Sequence, residues 1–230
     1  MKKILILVLI LIGSRQVYSQ SGEKSCSDVF ADSLFPAILT AQSINGINAV
    51  PKEQFIGDWR KGDIIIANGE TARDQYINYN GYSDDLYWMR KLDYKIGKLY
   101  KKDISGFRLY ADNDRKEKIF YKISVPDILL DRDIEVFAEQ LVEDKISFHC
   151  QRNLNMLNNS GDVYAKYWYF VEIEGRFYRI SLRKSSLLNI FPESEHQRIK
   201  KIIRKNHLKV KWEKDMTRFI ELYNSTLSNE

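Results

Sequence analysis

The chain has 230 residues, of which 44% are hydrophobic and 13% aromatic, enough to bury one large or two small cores. It carries 36 Lys and Arg against 31 Asp and Glu. Lys2, Lys3 and Arg15 belong to an expected leader, and the 33 cations left against 31 acids make a nucleic-acid partner a poor expectation.

That leader opens with Met1-Lys2-Lys3, followed by an apolar run from Ile4 to Ile12 that is too short to span a bilayer. Val17-Tyr18-Ser19 offers small or tolerated residues before a cut, so 1–19 reads as a signal peptide and Gln20 as the new terminus. The mature product is then secreted, periplasmic or bound to the cell envelope, and no second apolar run predicts a transmembrane segment after cleavage. In an oxidising compartment two cysteines, Cys26 and Cys150, are expected to pair, tying an N-terminal arm (20–53) to a strand.

In the arm, Leu34, Phe35, Ile38 and Leu39 have helical spacing, with an extended segment packed on the sheet as the other option. The stretch 54–182 reads as a β-rich domain. Asn68-Gly69 and Asn80-Gly81 punctuate runs rich in Ile, Tyr and Trp, which is a hairpin signal and predicts a β-meander from Gly62 to Tyr110. Further hairpins are expected around Glu143-Asp144-Lys145 and Glu174-Gly175, with His149 and Cys150 on opposite faces of one strand. Residues 183–224 form a helical cap: a short helix near Ser185, one carrying Ile199, Ile202 and Ile203 behind a capping-box pattern at Ser194 to Gln197, and a last one carrying Met216, Phe219, Ile220 and Tyr223. Residues 225–230 are expected to fray. The fold class is therefore α+β: an antiparallel, hairpin-rich sheet or partly open barrel with a small C-terminal helical cap.

Catalytic signatures are scarce. None of His149, His196 and His207 has the paired spacing of a metal site, and neither a metal ligand set, a catalytic residue nor a cofactor is expected. The acids at Asp84-Asp85, Asp112 and Asp114, and Asp127, Asp131 and Asp133 read as solvated turns, although paired carboxylates would support a polymer hydrolase. Two surfaces stand out as binding candidates. Tyr76, Tyr79, Tyr82, Tyr87 and Trp88 crowd the meander and could stack on sugar rings or a peptide. From Arg183 to Lys211 nine cations face two acids, with Lys200, Lys201, Arg204 and Lys205 as a basic face for an anionic membrane, a glycan or a protein.

The run GDIIIANGETARDQYINYNGYSDDLYWMRK, the later KKDISGFRLY and the ending FPESEHQRIKKIIRKNHLKVKWEKDMTRFIELYN resemble a loose family of secreted bacterial proteins of unknown function. The resemblance implies export from a bacterial cell, a β-rich middle and a short helical tail; it implies no functional residue. It makes the sequons at Asn158 and Asn224 coincidental. The expected role is that of an exported, non-enzymatic binding or envelope-associated protein, with the polymer hydrolase as the alternative.

Overall fold

The computed structural model describes residues 24–25, 40–44, 50–127, 132–157 and 162–228. The expected leader, Cys26 and the helical spacing at Leu34 to Leu39 lie outside the described residues, as do Asp131 and Asn158.

The strands are β1 (Lys24–Ser25), β2 (Thr40–Ile44), β3 (Arg60–Ile66), β4 (Thr71–Asn80), β5 (Asp85–Met89), β6 (Ile96–Leu99), β7 (Ile104–Leu109), β8 (Lys118–Asp127), β9 (Arg132–Val142), β10 (Ile146–Gln151), β11 (Leu154–Met156), β12 (Val163–Ala165), β13 (Trp168–Ile173) and β14 (Arg176–Ile180). Three helices follow: α1 (Lys184–Leu188), α2 (His196–Lys205) and α3 (Glu213–Leu227). All strands but β11 and β12 form one antiparallel sheet, in the order β1-β2-β6-β5-β4-β3-β7-β8-β9-β10-β13-β14. The α+β expectation holds: an open antiparallel sheet carries a small C-terminal cap of helices.

The simple meander needs one correction. After β6 the chain does not add its next strand at that edge; β7 returns to the far side of β3, pairing Gly62 with Leu109 and Ile64 with Phe107. The edge beside β6 is taken by β2 from the arm, with Ile44 opposite Ile96. Apolar alternation marks which faces are buried but carries no strand order, which is why the crossover was not legible.

Alternation along the strands builds two cores on opposite sheet faces. Ile64, Ile66, Ile77, Tyr79, Leu86, Trp88, Phe107 and Phe120 fill the first, with Phe107 and Phe120 stacked at 4.6 Å between centroids. On β8 and β9, Phe120 and Phe137 point into that core, while Ile123, Val125, Val136 and Ala138 point the other way, towards Phe170. These two strands are thus a wall shared by both cores. On the first face, Phe148 and Val171 continue into a third cluster that the helices cover with Leu187, Ile199, Met216, Phe219, Ile220 and Tyr223.

Specific polar contacts fix the pieces. Asp84, in the β4–β5 turn with φ of 57°, accepts the Tyr79 hydroxyl at 2.6 Å, the Lys101 ammonium at 2.6 Å and the Phe137 amide at 3.2 Å. One side chain thereby ties that turn to β9, and burial pushes its carboxyl above the usual range against the pull of Lys101. Gly81 lies so close to the chain after β10 that a Cβ there would sit 2.4 Å from the Arg152 carbonyl oxygen; its carbonyl accepts the Leu154 amide. By contrast, Gly69 is needed for its φ of +92° in a turn where the Ile66 amide donates to the Glu70 carbonyl and the Ile66 carbonyl accepts the Gly69 amide.

The cap is held by an equally specific set. Arg152, buried between sheet and helix, gives two bonds to Glu213 at 2.7 and 3.0 Å and a third to Glu139, while Glu139 also receives Lys118 at 2.9 Å. Burial opposes charge on Arg152 and Glu213 alike, yet their pairing holds the guanidinium protonated and Glu213 below the ordinary carboxylate range. At the other end of α3, buried Asn224 accepts the Ile146 amide at 3.0 Å and donates to its carbonyl at 2.8 Å, as a neighbouring strand would. The Asn224 sequon is therefore closed to modification in the folded chain.

Two local expectations are corrected here. The N-cap residue of α2 makes no side-chain cap bond: Glu195 instead accepts the Tyr223 hydroxyl at 2.8 Å and pairs with Arg198 at 3.6 Å. The fraying expected from Ser225 onward does not occur before Leu227, which packs on the cap core and whose carbonyl accepts Lys145 at 2.9 Å.

Candidate functional site

The five aromatics expected to form one surface are split by the pleat. Tyr79 and Trp88 point into the first core, at 0% and 3% exposure, and Tyr87 is buried on the opposite face at 6%. Tyr82 is open at 44% on the β4–β5 turn, and only Tyr76 contributes to a recess. β-Favouring aromatics next to a hairpin were here core residues first, because a strand presents alternate side chains to each face.

That recess lies on the outer face of β4. The segment from Val50 to Trp59 folds back over the sheet and leaves a hollow of about 510 Å³ lined by Val50, Pro51, Phe55, Trp59, Tyr76 and Asn78. Its aromatic lining packs on a small cluster with buried Tyr87, Met89 and Ile96: Phe55 meets Tyr87 edge-on at 5.3 Å, and Trp59 stacks on Tyr76 at 6.2 Å with 21° between planes. Asn78 donates from its amide to the Gly57 carbonyl at 3.1 Å and accepts the Tyr79 amide on its oxygen, so it holds the covering segment in place. At the rim, Lys52 and Asp58 pair at 3.3 Å with both side chains mostly in solvent, and Lys91 lies 4.4 Å from the Tyr76 ring centroid. A mainly apolar wall with a few polar groups at the mouth is the composition of a small-ligand site, and the volume falls within the usual range for one. Sequence reasoning singled out Tyr76 but missed Phe55 and Trp59. Their signal was weak, since Gln54 to Arg60 carries no periodicity and reads only as an edge segment.

A second hollow, of about 530 Å³, lies across β4, β3 and β7 and is lined by Asp63, Ile65, Thr71, Arg73, Asp74, Arg108 and Tyr110. Asp63 accepts the Tyr110 hydroxyl and, at 3.2 Å, the amide of Asp74, which sits at a bulge with φ of 58°. The acids singled out in the sequence are elsewhere. Asp84 is the buried tie described above, Asp85 pairs with Lys98 at 3.1 Å, and Asp112 pairs with Arg115. Asp114 is exposed in its turn, and Asp127 and Asp133 lie where β8 meets β9.

The basic face exists as a surface. Gln197, Lys200, Lys201, Arg204 and Lys205 line a shallow hollow of about 220 Å³ on the solvent side of α2, whose other side buries Ile199 and Ile202. None of these four cations has an ion-pair partner among the described residues.

Cys150 is fully buried and has no disulfide partner among the described residues; burial pushes its thiol well above its ordinary pKa. His149, on the opposite face, is buried too; its Nε2 lies 3.2 Å from Glu172, and its Nδ1 has no partner among the described residues. Burial lowers its pKa against the pull of Glu172, which favours the neutral ring. Among the described residues no group of three His, Cys, Asp or Glu side chains could hold a metal ion, and no helix is long and apolar enough to cross a membrane. No family model matches the chain, and no curated protein or solved structure matches it.

Proposed function

We propose that the chain is an exported, non-enzymatic binding protein whose ligand seats in the hollow between the Val50–Trp59 segment and β4. The observation that carries this is the aromatic wall of Phe55, Trp59 and Tyr76 around about 510 Å³, with Lys52 and Asp58 at the mouth. Aromatic side chains supply large apolar contact with few rotatable bonds, and a ring with C–H faces and hydroxyl edges uses both features of the site. A neutral sugar unit of a larger glycan is such a ring: its faces rest on the aromatic wall while its hydroxyls reach Asp58 and Lys52.

Isothermal titration against a panel of neutral oligosaccharides tests this. One member should bind, and Trp59→Ala should weaken it at least about tenfold, or about 1.4 kcal/mol. Because Trp59 also packs on Phe55 and Tyr76, Asp58→Asn is measured in parallel as a rim change that leaves the packing intact. Absence of binding across the panel, or binding that neither variant weakens, would refute the assignment.

Export is supported by the leader read at 1–19, and with it goes a proposed pairing of Cys26 with Cys150. Cys150 is fully buried on β10, so a bridge there would anchor the arm that already adds β2 to the sheet edge. Protein secreted from cells and unfolded without reductant should show no titratable thiol; two per chain would remove the bridge.

A further inference from the structure

The segment from His196 to Trp212 contains Arg198, Lys200, Lys201, Arg204, Lys205, Lys209 and Lys211, and not one acid. In a chain with nearly balanced charge this is a concentrated field, and α2 arranges it. Positions 197, 200, 201, 204 and 205 recur at helical spacing along one side and span roughly 12 Å of helix. They line a concave strip rather than a bulge, and Lys201, Arg204 and Lys205 are exposed with Lys200 half-buried. No acid among the described residues pairs with a cation of the strip: Glu195 is taken by Arg198 and Tyr223, Asp215 accepts the Lys209 amide at 2.7 Å, and Glu213 pairs with Arg152. The four cations of the strip are thus left uncompensated, a state that costs self-repulsion and is relieved by an anionic partner.

We infer that the strip on α2 is a docking site for a linear acidic polysaccharide, carrying sulfate or uronate groups, that lies along the helix. Three observations favour a chain over a bilayer. The strip is concave, whereas a lipid surface is met by a flat or convex face. The apolar side of α2 is spent on the cap core, with Ile199 and Ile202 buried, so no apolar stripe remains to enter the headgroup region as an interfacial helix requires. And the row of four cations is long enough to engage more than one anionic group of a chain at once, with the planar fork of Arg204 suited to a carboxylate or sulfate. Trp212, 59% exposed and carrying Lys211 at 5.4 Å from its ring centroid, stands at the end of the same basic segment and offers a face for a sugar. This site is independent of the aromatic hollow, since no residue is common to the two.

Binding of heparin-derived and polygalacturonate oligosaccharides is measured by calorimetry over a series of salt concentrations, beside vesicles containing phosphatidylglycerol and duplex DNA of matched charge. The full chain should bind at least one acidic oligosaccharide, with affinity falling steeply as salt rises. Lys201→Gln with Arg204→Gln should weaken it at least tenfold and reduce the slope of log affinity against log salt by roughly two, about one per cation removed. Both side chains are exposed, so an unchanged melting temperature shows that the variant is folded. Trp59→Ala should leave this binding as it is, which separates failure here from failure of the hollow. Binding to vesicles without binding to free oligosaccharide would assign the strip to a membrane instead. Affinity for DNA equal to that for the oligosaccharide, or no loss in the double variant, would overturn the inference.

Discussion

Replacing Asp84 offers the sharpest test of how the β4–β5 turn is held to β9. In Asp84→Ala, the Tyr79 hydroxyl and the Phe137 amide lose their acceptor inside the protein. Each such stranded donor costs about 1–3 kcal/mol. Alanine at a φ of 57° adds about 1–2 kcal/mol of backbone strain. The loss of the Lys101 pair is discounted, because that ammonium is partly in water and can rehydrate. The total is about 3–8 kcal/mol, which for a chain of this size lowers the melting temperature by roughly 6–30 °C. Asp84→Asn is the informative partner. Asparagine tolerates the left-handed backbone, and its carbonyl oxygen can still accept from Tyr79 and Phe137, so the expected cost is only about 1 kcal/mol. The pH dependence has a definite sign. The folded carboxyl titrates above its unfolded value, so the folded state binds this proton more tightly. The associated stability is fully present below the unfolded pKa and is lost as pH rises through the folded one. Urea melts of both variants and the parent between pH 4 and 7 read this out. The parent should lose stability relative to Asp84→Asn as pH rises. Equal destabilisation by Ala and Asn, or a parent that gains on Asn with rising pH, would refute the role given to Asp84.

The remaining expectations concern the turn glycines. Gly81→Ala must push the chain away from the Arg152 carbonyl and from Ile56, and should cost about 3 kcal/mol by displacing packed backbone. Gly69→Ala meets nothing within 4 Å and suffers only its positive φ, about 1 kcal/mol. Thermal melts that reversed this order would show that Gly81 is not held against the chain after β10.

Periodicity made the strands and the cap readable before any coordinates. Ile64 to Ile66, Tyr169 to Ile173 and the Met216, Phe219, Ile220, Tyr223 stripe all bury the faces their spacing indicates. What spacing cannot carry is partnership across distance. β7 beside β3, the shared wall of β8 and β9, and the Arg152–Glu213 clamp, 61 residues apart, depend on tertiary encounters that leave no local trace. The same limit explains the aromatic residues. Tyr79 and Tyr76 stand three apart on β4, so alternation alone places them on opposite faces; what it leaves open is which face closes a core and which walls a hollow. Asn80-Gly81 is instructive in another way: the hairpin is real, with Asn80 accepting the Tyr82 and Ser83 amides, yet its glycine answers to close approach by a distant segment.

The wall formed by β8 and β9 has a consequence for evolution and engineering. Since Phe120 and Phe137 serve one core and Ile123, Val136 and Ala138 the other, neither half can be excised with its apolar interior intact. Cutting the chain between these strands leaves each fragment with a strip of exposed apolar sheet that only the other fragment can cover. The two halves should therefore be inherited, unfolded and recombined as one indivisible unit. Successful circular permutants or inserted tags will be found at peripheral turns such as Asn68-Gly69 and Glu174-Gly175.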